Sequence, residues 1–384
     1  MSERFEVERI PGRTDAVLLV LLVLLVGLGF SALFSASHNW AEQLYGDPFR
    51  LARRQAIWIV TGALCAAIVA RIPLRLLRRT VPALLCASAV MMLLTFVPGV
   101  SEEYLGARRW IYVFGMSFQP SEFVKVSLVF YLAHILSKKH DRLDDTLNSV
   151  VPPFIVVLVF GGLIYVQNDF STAVFVIFVS LLIFFVARVR LRFFIGLALA
   201  SVPLAVILLL TREHRVLRIL AFIDPNLDRF GSGYQVLAAQ RALVNGGLWG
   251  RGIGQSLQKF GALPEPHSDF VFAVLGEEFG LAGVVGVVGL FLVVAVRGYQ
   301  LAFESSDPFR SLLAFGVTSM LLLQALLNMA VVAGLVPATG IPLPFFSHGG
   351  SAILMTLVMM GLLLNVSREE RLGIAAGEYE VAYG

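Results

Sequence analysis

Charge is scarce in this 384-residue chain: Asp, Glu, Lys and Arg make up 15% of it, against roughly 25% in soluble globular domains. Cysteine is almost missing, and the two present, Cys65 and Cys86, both lie inside apolar blocks. That excludes a disulfide-stapled secreted scaffold and a cysteine-based metal or redox framework. No Ser-His-Asp arrangement and no His-Glu-x-x-His run is legible, and no internal repeat is visible. The one dense glycine run lacks the preceding strand that nucleotide-binding fingerprints need. The net charge is only +4, and the basic residues fall in short clusters between apolar blocks. Such a pattern excludes nucleic acid as a partner.

What the chain has instead is apolar length. Apolar residues reach 58% and the mean hydropathy is +0.82, well above an ordinary soluble domain. The first block, 16–35, is longer than the apolar core of a cleavable signal peptide, about 7–15 residues, and reads as a retained helix. Further blocks cover 55–70, 80–98, 121–137, 150–167, 170–187, 193–210, 270–296, 311–335 and 345–366. Barrel strands would alternate polar and apolar residues over about ten positions, and these blocks do not. The expectation is an all-α polytopic integral membrane protein: one transmembrane domain over 1–384 with ten spans, split at Asn168 and Asp169 between the fifth and sixth.

Lys and Arg in short connecting segments set orientation. With the N-terminus inside, 17 such cations lie inside against 5 outside. This places the tails 1–14 and 367–384 in the cytoplasm of a cell bounded by an inner membrane. It puts 211–268 outside as one large extracytoplasmic loop. That loop has a helical stretch at Tyr234–Val244 and then the run Gly246-Gly247-Leu248-Trp249-Gly250-Arg251-Gly252-Ile253-Gly254. Glycines at that density let main-chain N–H groups approach an anion.

Polar residues at membrane depth invite functional readings, because a charge at mid-bilayer costs at least ~2.5–3.5 kcal/mol. Asp269 sits in Pro264-Glu265-Pro266-His267-Ser268-Asp269-Phe270, at the mouth of the eighth span. Its bland reading is a helix N-cap, shared with Ser268. Glu277 lies on the same helical face eight residues on, whereas Glu278 reads as a buried carboxylate bonded to neighbouring helices. Around the fourth span, Arg108-Arg109-Trp110 precedes Gln119-Pro120-Ser121-Glu122, with Ser121 as the expected N-cap and Glu122 and Lys125 spaced for an ion pair. The guanidinium forks would suit a phosphate-bearing head group, or simply an interfacial anchor. Asp169 fits a turn. The stretch from Gly334 to Gly350, with Ser347 and His348, is irregular backbone that only protein or water can line. One carboxylate at a helix mouth can act as general base on a sugar hydroxyl, and nearby cations can hold a pyrophosphate leaving group.

The run Leu263–Ala273 with Gly276-Glu277-Glu278-Phe279-Gly280, and Gly340-Ile341-Pro342-Leu343-Pro344-Phe345-Phe346-Ser347-His348-Gly349-Gly350-Ser351, closely resemble the SEDS family (shape, elongation, division and sporulation proteins). Arg109-Trp110, Gln119–Glu122 with Lys125, Gln167 with Asp169, and Tyr234-Gln235 with the glycine run fit further motifs of that family, over nearly the whole chain. Asn328–Gly334 and Leu364–Arg368 are closer to its FtsW and sporulation branches than to RodA. His348 stands where a tyrosine is usual, and Asn168 and Ser171 where proline and glycine are expected.

The resemblance implies the ten-helix SEDS fold and peptidoglycan glycosyltransferase activity. It implies polymerisation of lipid II outside the cytoplasmic membrane, for cell division or for elongation and shape, with a class B penicillin-binding protein as cross-linking partner. It matches Asp269 to the catalytic carboxylate. As substrate-binding residues it offers Arg109, Trp110, Glu122, Lys125, Asp169, Gln235, His267, Glu277 and Ser347. It leaves open a divalent cation, Mg or Mn, beside Arg109 and Lys125 at the leaving group. Two rivals remain: a flippase for the lipid-linked precursor gated by Asp169, Glu277 and Glu278, and a scaffold that recruits a transpeptidase without chemistry of its own. Position separates them, since a flippase should concentrate polar groups at mid-membrane, whereas Asp269, Arg109 and the glycine run fall on one side.

Overall fold

A computed structural model describes residues 14–101, 107–113, 116–211, 213–224, 231–258 and 268–381. Among the described residues the chain is an all-α bundle with one small hairpin, β1 (Ile111–Val113) paired antiparallel with β2 (Met116–Phe118). In order come α1 (Ala16–Tyr45), α2 (Arg50–Arg71), the short α3 (Leu74–Arg79), α4 (Val81–Leu94) and α5 (Pro120–Lys138). Then follow α6 (Val151–Val166), α7 (Phe170–Val186), α8 (Leu191–Leu210), α9 (Glu213–Ile223) and α10 (Ser232–Gly246). The chain continues with α11 (Val271–Glu304), α12 (Pro308–Val332) and α13 (Gly350–Val381).

Every predicted span falls on a helix. Seven are long and apolar enough to cross a membrane, Val81–Leu94 and Phe170–Val186 are shorter apolar helices, and α5 carries a buried ion pair in its first turns. The break at Asn168 is real: its φ of 66° turns the chain between α6 and α7. Three expectations are corrected. The last helix starts at Gly350, not at 345, because Phe345 is left-handed and Ser347 closes a turn on Leu343. The first runs past Ser35 to Tyr45. Ser121 is not an N-cap, since the helix begins at Pro120 with Gln119 as its uncapped boundary.

Large apolar side chains point outward on α1, α2, α6, α8 and α11, among them Val23, Ile57, Val159, Leu199 and Val285. In water this would be a liability; in lipid it is the solvent-facing surface. Inside, α12 lies between α11 and α5, and α13 runs along α2. Polar side chains fix these packings. Asn365 of α13 donates to Val69 O and Ile72 O at the end of α2, both at 2.6 Å. Asp15 caps α1, and its carboxylate stands 3.8 Å from Arg297 of α11.

The long α11 breaks at Gly280, with φ 64° and ψ −163°, a region open essentially to glycine alone. The glycine run fills the break. Leu281 and Ala282 would normally donate to Glu277 O and Glu278 O. They donate instead to Gly247 O and Leu248 O, at 2.9 and 3.2 Å. Glu277 O and Glu278 O in turn accept from Arg251 and Gly252, each at 3.0 Å. Four backbone bonds are thereby exchanged between helix and loop, so none of these groups is orphaned. A side chain at Gly250, where φ is +80°, would strike Glu278 O.

Gly280→Ala should therefore destabilise the protein by about 1–3 kcal/mol, read as a lower melting temperature in detergent. Gly286, in open space on the same helix, is the control: Gly286→Ala should be neutral or mildly stabilising. Equal effects at both positions would contradict the account of the break.

Candidate functional site

At one end of the bundle the start of α7, the start of α11, the segment 107–110, α9 and the irregular strip 336–340 converge on a two-lobed cavity. The larger lobe is about 710 Å³ and the smaller about 280 Å³. Asp269, Arg218 and the strip 338–340 border both. Asp269 is half-buried, and its carboxylate accepts from Ser268 Oγ at 3.2 Å. A β-carbon built at Gly340 would lie 3.5 Å from Asp269 Oδ2, so the strip passes beside the carboxylate. The capping explanation of Asp269 is not supported, because the N-cap of α11 is Phe270, with no side-chain capping bond.

Asparagine fixes where Asp269 stands. Asn328 of α12, 1% exposed, donates through Nδ2 to Asp269 O and to Ile341 O, both at 2.9 Å. One turn earlier, Gln324 donates to Pro342 O at 2.9 Å and accepts from Lys125 Nζ at 2.8 Å. Lys125 also meets Glu122 at 2.7 Å, with both side chains almost wholly buried. These residues form one continuous polar ladder from α5 through α12 to the two irregular segments that flank the cavity.

The larger lobe is cationic. Arg109 donates to Gln167 O at 3.3 Å and to Asn168 O, and lies 3.8 Å from Asp169. Asp169 also caps α7 through Thr172 N–H at 3.2 Å. Arg215 of α9, 6% exposed, lies over the rings of Tyr165 and Phe170. It donates to Leu208 O at 2.8 Å, to Tyr165 Oη at 3.1 Å and to Asn168 Oδ1 at 3.3 Å. Its Nε is buried with no hydrogen-bond partner among the described residues. Arg218 is reached by solvent from one side, yet desolvation by the wall behind it lowers its pKa, as does Arg109; Asp269 and Asp169 oppose that shift. The guanidinium remains a cation at neutral pH. Three arginines stand against two aspartates here, beside the N-terminus of α7, so the lobe's wall is net positive.

The predicted site residues divide. Arg109, Trp110, Asp169 and Asp269 line the larger lobe, and Gln235 lines the smaller with Asp269. Four residues do not reach it. Lys125 and Glu122 are spent on each other and on Gln324. Ser347 Oγ accepts from Leu343 N–H at 2.8 Å and holds a turn. Glu277 is fully buried and accepts from Asn245, Ser256 and Gln258, so it anchors the loop after α10. Glu278 accepts from Ser35 Oγ of α1 at 2.6 Å, as expected of an interhelical contact. His267 lies outside the described residues. The glycine run lines neither lobe, since its N–H groups at Arg251 and Gly252 are taken by α11. Among the described residues no three of His, Cys, Asp and Glu converge as a metal-ligand group. Arg215 and Arg218 were not anticipated. The only available signal was Arg-x-x-Arg spacing on one face of a short helical stretch.

The profile of the FtsW/RodA/SpoVE cell cycle proteins matches residues 15–372. A probable peptidoglycan glycosyltransferase FtsW from Trichlorobacter lovleyi is 36% identical over 364 residues, which is 95% of this chain and 96% of that protein. Stage V sporulation protein E of Bacillus subtilis is 36% identical, over 93% of this chain and 98% of its own. A chain of a solved peptidoglycan synthase complex superposes with TM-score 0.76 at 29% identity, covering 93% of this chain and 98% of that one. The rod shape determining protein RodA of Thermus thermophilus superposes at 0.68, also 29% identical, covering 93% and 97%.

The ladder makes a test of its own. Lys125→Met strands Glu122 in the bundle and should cost about 3–5 kcal/mol, whereas Glu122→Gln with Lys125→Met should recover most of that loss. A Lys125→Met protein with unchanged melting temperature would contradict the structural role.

Proposed function

This chain belongs to the FtsW/RodA/SpoVE family of cell cycle proteins, and we propose from that premise that it is a peptidoglycan glycosyltransferase that polymerises lipid II. The observation that carries the reading is Asp269 at the junction of two lobes, one of them walled by Arg109, Arg215 and Arg218.

In the proposed reaction Asp269 takes the proton from the acceptor's GlcNAc 4-hydroxyl as that oxygen attacks the donor's MurNAc anomeric carbon. The bond from that carbon to the pyrophosphate oxygen breaks on the opposite face, with inversion. Undecaprenyl pyrophosphate leaves with the bonding electrons, and the arginines neutralise the charge it gains. Arg215 on the wall of the larger lobe and Arg109, pre-oriented by two backbone carbonyls, would supply the guanidinium donors. Lys125 has no part in this step, being committed to Glu122 and Gln324. A divalent cation, when bound, would supply Lewis-acid charge at the same leaving group, with Asp169 and Asp269 the carboxylates on that wall.

The proposal extends to setting and partner. Both termini face the cytoplasm, and the cavity opens outside the inner membrane, where lipid II presents its sugars. A class B penicillin-binding protein cross-links the product, in line with the synthase complex among the structural relatives. Of the rivals, a flippase is disfavoured because Glu277 and Glu278 are closed off by hydrogen bonds rather than lining a path.

Asp269→Asn keeps size and hydrogen bonding but cannot accept a proton at neutral pH. Polymerisation of lipid II by the purified complex should fall by roughly 10²-fold or more, with melting temperature near wild type. A folded Asp269→Asn protein that polymerises at wild-type rate would refute the general-base role. Orientation has a separate test. In a chain whose Cys65 and Cys86 are replaced by serine, a cysteine introduced at Ser232 should label with an impermeant maleimide in intact cells; labelling only after lysis would reverse the topology.

A further inference from the structure

The two lobes differ in the chemistry of their unpaired buried atoms. Arg215, 6% exposed on the wall of the larger lobe, carries an unpaired cationic donor, Nε. Asn328, 1% exposed and lining the smaller lobe, carries an unpaired neutral acceptor, Oδ1. Thr339 Oγ1, on the strip between the lobes, is likewise buried with no hydrogen-bond partner among the described residues. A buried polar atom without a partner is rare in a native protein and asks for one from outside the chain. Asn328 cannot be turned to relieve this, because Nδ2 already donates to two backbone carbonyls, Asp269 O and Ile341 O. Its Oδ1 is therefore held in place by the same bonds that hold Asp269.

We propose that the smaller lobe is the subsite for the acceptor sugar, with Asn328 Oδ1 accepting from a ring hydroxyl or amide and Thr339 Oγ1 bonding a neighbouring polar group. Gln235, Asp269 and Arg218 are the other polar residues of that wall. The inference rests on the glycosyltransferase reading and refines it. At about 280 Å³ the lobe falls just under the roughly 300–1,000 Å³ of drug-sized pockets. That suits one sugar ring and leaves the donor's departing pyrophosphate to the larger lobe. Arg218 borders both lobes, but Arg109 and Arg215 line only the larger, so the departing pyrophosphate is held there, and the acceptor's terminal sugar, a disaccharide away from its own pyrophosphate, takes the smaller. Asn328 is also a positioning residue, since one amide sets both the base and the ring that the base must deprotonate.

Thr339→Val is the cleaner test, because Asn328 also has the bridging role. Valine keeps the shape and removes only the hydroxyl. If that hydroxyl were idle, removing an unpaired buried polar atom would leave stability the same or higher and leave activity alone. As a sugar contact, its loss should raise the acceptor concentration at half-saturation about fivefold or more, with melting temperature unchanged or higher, and Thr339→Ser should restore the wild-type value. The assay uses labelled lipid II blocked at its 4-hydroxyl, which can donate but not accept, at fixed concentration with unlabelled lipid II varied. Unchanged half-saturation in Thr339→Val, or failure of Thr339→Ser to restore it, overturns the proposal. The wild-type and Asp269→Asn arms separate this from the parent reading: a wild-type complex that makes no polymer defeats the glycosyltransferase reading itself.

Discussion

One amide side chain holds the site together. Asn328 bonds the carbonyl of Asp269, just before α11, and that of Ile341, in the irregular strip before α13, at 2.9 Å each. Neither segment has a regular partner for its main chain, and in a lipid-surrounded bundle an unpaired carbonyl costs several kcal/mol. The side chains of α12 stand in for secondary structure. Gln324 does the same for Pro342 one turn away and is itself steadied by Lys125 and Glu122. Through this ladder the ion pair in α5 is linked mechanically to the carboxylate proposed as base, although it touches no part of the cavity.

The break in α11 obeys the same rule. A helix that ran unbroken through Gly280 would leave the loop after α10 without partners, and a broken one without the loop would orphan its own groups. The exchange of four backbone bonds solves both at once. Glu277 adds side-chain anchors from Asn245, Ser256 and Gln258. The stiffened α11 then presents Asp269 at its mouth, one residue ahead of the N-cap. Pre-organisation of this kind is what a general base requires, because its geometry must precede the reaction.

Much of this was legible in the sequence, unevenly. The helices follow from block length and hydropathy, and Asn168 marked a turn that tolerates positive φ. Asp269, Arg109 and Asp169 were recognisable because they sit where apolar blocks meet polar segments. The same signal misled for Lys125, Glu122, Glu277 and Ser347. A polar residue in an apolar block incurs the same desolvation penalty whether it binds substrate or satisfies a neighbouring helix, and only the positions of Gln324, Asn245 or Leu343 tell these apart. The glycine run suggested an anion loop because glycine density reports close backbone approach; what approaches is the backbone of α11. Arg215 and Arg218 were missed for the converse reason, since basic residues in a long loop look ordinary until α9 lays Arg215 over Tyr165 and Phe170 and sets Arg218 on the cavity wall.

The central claim is that the lobes divide the two substrates, anion among the arginines and sugar beside Asn328. The most direct measurement is a cryo-electron microscopy reconstruction of the full-length Asp269→Asn protein with its class B partner and lipid II. The account predicts phosphate density within hydrogen-bond reach of Arg215 Nε and of Arg109 or Arg218, and a sugar ring against Asn328 Oδ1. A head group lodged instead in the bundle beside the buried Glu122 and Lys125 would contradict it and favour a transporter.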